Sequence, residues 1–215
     1  MRNNFLLPLL IVGLTWAMPY GLDGSLQLSA ASSTMPATTQ RSALWAQPTT
    51  CPGLSNFYQV SPTLYRSAQP EAAAFPKIKA LGIKTVICLR ATHDDRKAVE
   101  VAGLNYVNIR FRSWHAEFED VTEFLQAALD PQLQPVLVHC QHGADRTGTM
   151  VAMYRIAVQD WTPAEASAEM TQGGYGFHPI WGNLIRYVEN VNVRRLKQIV
   201  KTIASTQPAT QPARP

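Results

Sequence analysis

The chain has 215 residues, 46% hydrophobic and 16% charged, with a formal net charge of +4. That length allows one domain with a real core plus tails, and the composition is ordinary for a globular protein. No compact Lys/Arg run is present, so nucleic acid is not an expected partner, and the mild positive balance suits an anionic substrate. The three cysteines, Cys51, Cys88 and Cys140, leave at least one thiol unpaired within the chain, and their spacing fits no zinc motif.

In chain order, residues 1–4 are short and basic, residues 5–18 are almost wholly apolar, and small residues follow near 15–17 and 29–31. The apolar run is short for a membrane span. Residues 1–31 are therefore expected to be a signal peptide or a membrane anchor. A periplasmic or secreted protein follows, with any membrane association made through this segment. Residues 32–53 are rich in Ser, Thr, Ala, Gln and Pro without periodicity and read as a disordered linker that leaves Cys51 exposed. Residues 204–215 have the same character, so the folded domain is expected over 54–203.

Within it, residues 57–60 and 63–66 read as two strands joined by a tight turn. Residues 71–81 read as a helix stopped by Gly82 and disturbed by Pro76. Residues 84–89 are a β-branched apolar run, a buried strand with Cys88 as an inert core thiol. A polar helix over 94–102 and a strand over 106–109 follow, then a loop over 110–119. Asp120 with Glu123 looks like the cap of the next helix. Residues 136–139 form the last core strand and residues 148–159 a helix. Thr162, Pro163 and Glu165 open another, which ends at Gly173 and Gly174. One long helix is expected over 179–203. Strands alternating with helices predict an α/β domain with a mainly parallel central sheet flanked by helices.

In such sheets the functional site lies at the carboxyl ends of the strands. There the chain reads His139, Cys140, Gln141, His142, Gly143, Ala144, Asp145, Arg146, Thr147, Gly148. A five-residue loop between strand and helix can turn its backbone N–H groups inward, and the helix N-terminus adds partial positive charge. Residues 141–146 thus make a cradle for a phosphate dianion. Gly143 allows the backbone to come close. Arg146 can bind two phosphate oxygens through its planar fork. In that field a cysteine pKa falls from about 8.5 to about 3.5–7.5. Cys140 can then attack phosphorus in line, forming a phosphocysteine that water releases. Thr147 can hydrogen-bond the departing sulfur, and His139 faces back to hold the loop.

This stretch resembles the His-Cys-x5-Arg-Thr-Gly signature of the cysteine-based protein tyrosine and dual-specificity phosphatases, matching at His139, Cys140, Gly143, Arg146, Thr147 and Gly148. Asn56-Phe57 and the run from Leu64 through Pro70 resemble the start of the compact atypical dual-specificity phosphatases of plant, fungal and bacterial type. The resemblance spans residues 56–191. It implies a phosphatase-type fold and a phosphomonoesterase without metal or other cofactor, and the chain is expected to be a monomer. Its substrate would be a phosphorylated protein or a small phosphomonoester. Inositol phosphates and phospholipid headgroups are the alternatives.

The family places a general acid on the loop before the helix that precedes the catalytic strand. The Trp-Pro-Asp pattern of tyrosine phosphatases is absent there, because His115 follows Trp114. Glu117 is the first candidate, with Glu119 and His115 behind it. Asp145 is an alternative, since some lipid and inositol phosphatases carry an aspartate before the arginine. His142 can add charge for a highly phosphorylated substrate. Two other classes remain in play: a phosphate-binding module without turnover, and a rhodanese-like sulfurtransferase. His139, Cys140 and His142 are poorly spaced to chelate a metal from one tight loop.

Overall fold

The structure is a computed structural model and describes residues 41–206. The expected leader and the chain beyond residue 206 lie outside the described residues. Among these residues, six strands form one sheet: β1 (Gln47–Pro48), β2 (Tyr58–Ser61), β3 (Leu64–Ser67), β4 (Thr85–Cys88), β5 (Asn105–Asn108) and β6 (Val136–His139). Their spatial order is β1-β2-β3-β6-β4-β5. β3, β6, β4 and β5 run parallel, while β1 and β2 add antiparallel partners at one edge.

Among the described residues, seven α-helices pack around the sheet: α1 (Phe75–Ala80), α2 (Arg96–Val101), α3 (Phe118–Leu129), α4 (Asp145–Val158), α5 (Pro163–Gln172), α6 (Gly182–Glu189) and α7 (Val193–Thr206). Every residue of β4 and β6 is buried, as expected for parallel strands covered on both faces. Side chains alternate between the faces. Val86 and Leu137 join Phe75, Ile78 and Val99 on the α1–α2 side, whereas Ile87, Val136 and Val138 join the larger core under α3 to α7. Twelve of the fourteen residues of α4 are buried. It is wrapped by other helices, which is why it carries no amphipathic stripe.

β6 fills the gap between β3 and β4, so its carboxyl end lies between strands that left the sheet in different directions. That is the usual place for a ligand crevice in an open α/β sheet.

Several boundaries differ from expectation. The linker predicted over 32–53 is structured from residue 41 onward. Ala46 is buried and its N–H donates to Glu169 Oε1 at 2.6 Å. Arg41 donates to the Gly173 and Ala46 carbonyls and to the Tyr175 hydroxyl. Cys51 is buried against the α1 side of the core rather than exposed. The partners lie over a hundred residues away, beyond the reach of local composition.

α3 starts at Phe118, with Glu117 extended at the N-cap position, so Asp120 sits in the first turn instead of capping it. Acidic residues favour that turn through the helix dipole. The helix expected over 71–81 is a 3₁₀ turn (Ala72–Ala74) followed by α1 with Pro76 in its first turn. The long helix expected over 179–203 is a 3₁₀ turn (Pro179–Trp181), α6 and α7. The Asn190 side chain donates to the Arg186 carbonyl at 2.8 Å, and Asn192 Oδ1 accepts from Arg195 N at 3.0 Å, ending one helix and starting the next. α7 then runs to Thr206, into the predicted tail. The Thr162–Glu165 capping box is present as read.

Candidate active site

The loop between β6 and α4 is held from outside by its carbonyls. The Gln141 carbonyl accepts from Gln69 N (3.2 Å), and the Ala144 carbonyl from Gly148 N (2.7 Å). The His142 carbonyl accepts from Asn56 Nδ2 (2.8 Å), and the Gly143 carbonyl from Arg66 Nη2 (2.6 Å). The first three of these C=O groups thus face donors from elsewhere in the fold, and the fourth opens the hydrogen-bond ladder of α4. The N–H groups of residues 141–146 have no hydrogen-bond partner among the described residues. Free N–H groups on a turn that feeds a helix N-terminus are what an anion site needs.

Gly143 has φ +69°, and a Cβ there would lie 2.5 Å from the Ser67 carbonyl and from Ala68 N. The loop is therefore pressed onto the end of β3. Cys140 is 1% exposed at its base, immediately after β6. Arg146 is half-buried in the first turn of α4. The Thr147 hydroxyl is fully buried and unpaired with any protein group. The loop therefore brings a thiol, a guanidinium, a free hydroxyl and a row of free N–H groups to one strand-helix junction.

His139 faces away from the mouth. It is fully buried, with Nε2 3.4 Å from Asp95 Oδ2 but too poorly aligned for a hydrogen bond. Burial pushes its pKa down to about 4, against the opposing pull of Asp95. Asp95 is fixed through Oδ1 by Gln69 Nε2 (2.6 Å) and His93 Nε2 (2.8 Å).

Sequence reasoning missed Arg66. It is fully buried beneath the loop, donates to the Gly143 carbonyl, and stacks 3.5 Å from the centre of the Tyr175 ring. Its Nε and Nη1 have no hydrogen-bond partner. Burial lowers its pKa, while Tyr175, Glu169 and Cys140 pull the other way. The available signal was an arginine on a strand where alternation calls for an inward residue. Tyr175 in turn donates to Glu169 Oε1 at 3.0 Å, and Glu169 forms a buried fork with Arg155 at 2.7 and 2.8 Å.

The acid candidates separate. Glu117 closes the loop before α3, and its only ionic contact among the described residues is His115 at 3.4 Å, both side chains being exposed. Nothing ties Glu117 or Glu119 to residues 139–147. Asp145 is 7% exposed and is held by His178, whose backbone N–H reaches Oδ1 at 2.8 Å and whose Nδ1 lies 2.9 Å from Oδ2. The His142 ring lies 5.1 Å from that of His178. Asp120 is half-buried, with a pKa raised by burial and then by Glu117.

A family model described as "Tyrosine phosphatase family" matches residues 53–207. The dual specificity protein phosphatase TpbA of Pseudomonas aeruginosa (strain UCBPP-PA14) is 38% identical over 161 residues, 73% of this chain and 71% of that protein. A crystal structure of P. aeruginosa TpbA in complex with pTyr, its cysteine replaced by serine, superposes with a TM-score of 0.66. It is 35% identical and covers 75% of this chain and 98% of that one. The inositol diphosphatase DSP4 of Arabidopsis thaliana is 31% identical over 114 residues, 49% of this chain and 57% of that protein.

Proposed function

The chain belongs to the tyrosine phosphatase family, and on that premise we propose that it cleaves phosphotyrosine from protein substrates, with Cys140 as the nucleophile. It is a cysteine-dependent phosphatase acting on phosphomonoesters. The observation that carries the assignment of residues is the loop itself. Its carbonyls are all engaged, three of them by donors from elsewhere in the fold, its N–H groups are free, and Cys140 lies at its base.

In this reading the phosphoryl group rests on the N–H groups of residues 141–146 and on the Arg146 fork. The Cys140 sulfur forms a bond to phosphorus as the ester oxygen leaves, and the oxygen takes a proton from the general acid. Water then attacks the phosphocysteine, releasing phosphate and the thiolate, which the free Thr147 hydroxyl is placed to receive. Charge on the equatorial oxygens is met by donors already in position. Hydrolysis of phosphotyrosine peptide should vanish in Cys140→Ser and in Arg146→Lys. Wild-type-like rates in either variant would sink the mechanism.

We assign the general acid to Glu117, supported by its place at the end of the loop and its exposed, loosely paired carboxyl. Asp145 already accepts from the His178 backbone N–H and lies against its ring nitrogen, and is better placed to orient than to give a proton. Glu117→Gln should lower kcat on phosphotyrosine by about 10²–10⁴-fold, the usual contribution of a positioned acid. It should spare p-nitrophenyl phosphate, whose leaving group departs without a proton. Equal losses on both substrates would remove Glu117 from the role and turn attention to Asp145→Asn.

A second reading, an inositol-phosphate phosphatase, draws support from the likeness to DSP4 and from His142 and His178 beside the loop. A panel of phosphopeptides and inositol phosphates compared by kcat/KM decides between them. Export through the residue 1–31 leader belongs to the same proposal, and cell fractionation with N-terminal sequencing of the mature chain tests it.

A further inference from the structure

We propose that His142, Asp145 and His178 form a binding site for one divalent transition-metal ion, with zinc the best chemical fit. The ligand atoms of the three side chains all lie within 4.8 Å of one another. Two imidazoles and one carboxylate are a set that suits zinc, and three protein ligands leave one position for water or a phosphate oxygen. Tetrahedral zinc with bonds of about 2.0–2.1 Å holds its ligands about 3.3 Å apart. His178 Nδ1 and Asp145 Oδ2 already stand 2.9 Å apart. The remaining adjustment falls on His142, whose exposed side chain can rotate.

The support around the ligands is also present. The His178 N–H donates to Asp145 Oδ1 at 2.8 Å, fixing the carboxylate while Oδ2 serves the site. Outer contacts of this kind orient metal ligands. Asp145 is anchored in the first turn of the buried helix α4, and His178 directly precedes the Pro179–Trp181 turn. Two of the three ligands therefore sit on fixed backbone.

This is a different set from the His139, Cys140 and His142 trio that spacing alone disfavours. His139 turns under the sheet toward Asp95, so it never meets His142. The missing ligand comes from His178, brought to the loop by the turn after α5. The other acidic and imidazole cluster, Cys88 with Asp95 and His139, is buried, and its Asp95 Oδ1 is already taken by Gln69 and His93.

The test uses the full, tag-free chain carrying Cys140→Ser, which removes the loop thiolate as a competing ligand and makes the readout independent of turnover. Titrated with Co²⁺, it should bind one ion per chain with the visible absorption of a four- or five-coordinate centre, and Zn²⁺ should displace it. His142→Ala and His178→Ala should each abolish saturable binding. So should His178→Gln, which keeps the bulk of the side chain. Metal-free thermal melts of His142→Ala should match the parent, since that side chain is exposed, and His178→Gln, which keeps a polar group beside Asp145, controls for the lost His178 contact. Absence of stoichiometric Co²⁺ binding by the parent overturns the proposal, and so does binding that survives loss of His142 and His178 together.

Discussion

His139 and Arg66 are both fully buried, and burial acts against the charged form of each. The His139 pKa lies well below its ordinary 6.5, at about 4, because burial penalises the imidazolium. The unfolded chain therefore takes up a proton that the fold refuses. The stability tied to the neutral ring is complete above about pH 6.5 and is lost as pH falls toward 4. The slope is at most about 1.4 kcal/mol per pH unit. Denaturant titrations between pH 7 and pH 4.5 should show it, and His139→Asn should flatten it. An unchanged slope in that variant would put the acid sensitivity elsewhere. Arg66 is a desolvated cation whose one framework bond goes to the Gly143 carbonyl. Arg66→Met removes a charge that is costly to bury, so stability should change little. The loop between β6 and α4 loses its anchor, and kcat should fall about 10²-fold, as small misplacements of a reacting group do. A large loss of stability with normal kcat in the folded fraction would contradict that division.

At the scale of the element, the loop between β6 and α4 owes its shape to two constraints. Gly143 adopts positive φ, and a Cβ there would run into the backbone at Ser67 and Ala68. Gly143→Ala adds backbone strain of about 1–3 kcal/mol and a clash that only movement of β3 relieves. Gly82 also has positive φ but open space around its Cβ. Gly82→Ala should therefore lower the melting temperature modestly with activity intact, whereas Gly143→Ala should lower both. The sequence was sound on where most elements lie, because β-branched runs, the Thr162–Glu165 box and the glycine stops are local physics. It failed at the 179–203 helix, where Asn190 and Asn192 break the run through side-chain bonds to the backbone. Their pattern was visible, but the apolar stripe continues across the break and outweighs it.

Across the whole molecule, one chain of contacts links the segment from Arg41 to the loop between β6 and α4. Arg41 and Ala46 meet Tyr175 and Glu169, Glu169 pairs with Arg155, and the Tyr175 ring lies against Arg66 under Gly143. A single carboxylate, Glu169, faces Arg155 directly and raises the pKa of Tyr175 to about 12 together with burial, the larger cause. Glu169→Gln leaves Arg155 buried without a counter-charge, which typically costs about 3–5 kcal/mol. Its thermal midpoint should fall by far more than that of a surface change such as Glu100→Gln. A shift no larger than the surface control would show that the fork does not hold the segment.

The sequence by itself determined the α/β class, the place of the loop after β6, and the types of residue in it: a thiol, a guanidinium, a hydroxyl and a glycine at fixed spacing. Those depend on neighbours a few positions apart, and period and spacing record them. Only the tertiary structure decided that residues 41–53 are part of the domain, that Arg66 braces Gly143, and that His178 rather than a loop neighbour completes the cluster with His142 and Asp145. Each of those contacts joins residues more than thirty positions apart. Burial and hydrogen-bond geometry select such partners in space, and no local pattern in the chain records the choice.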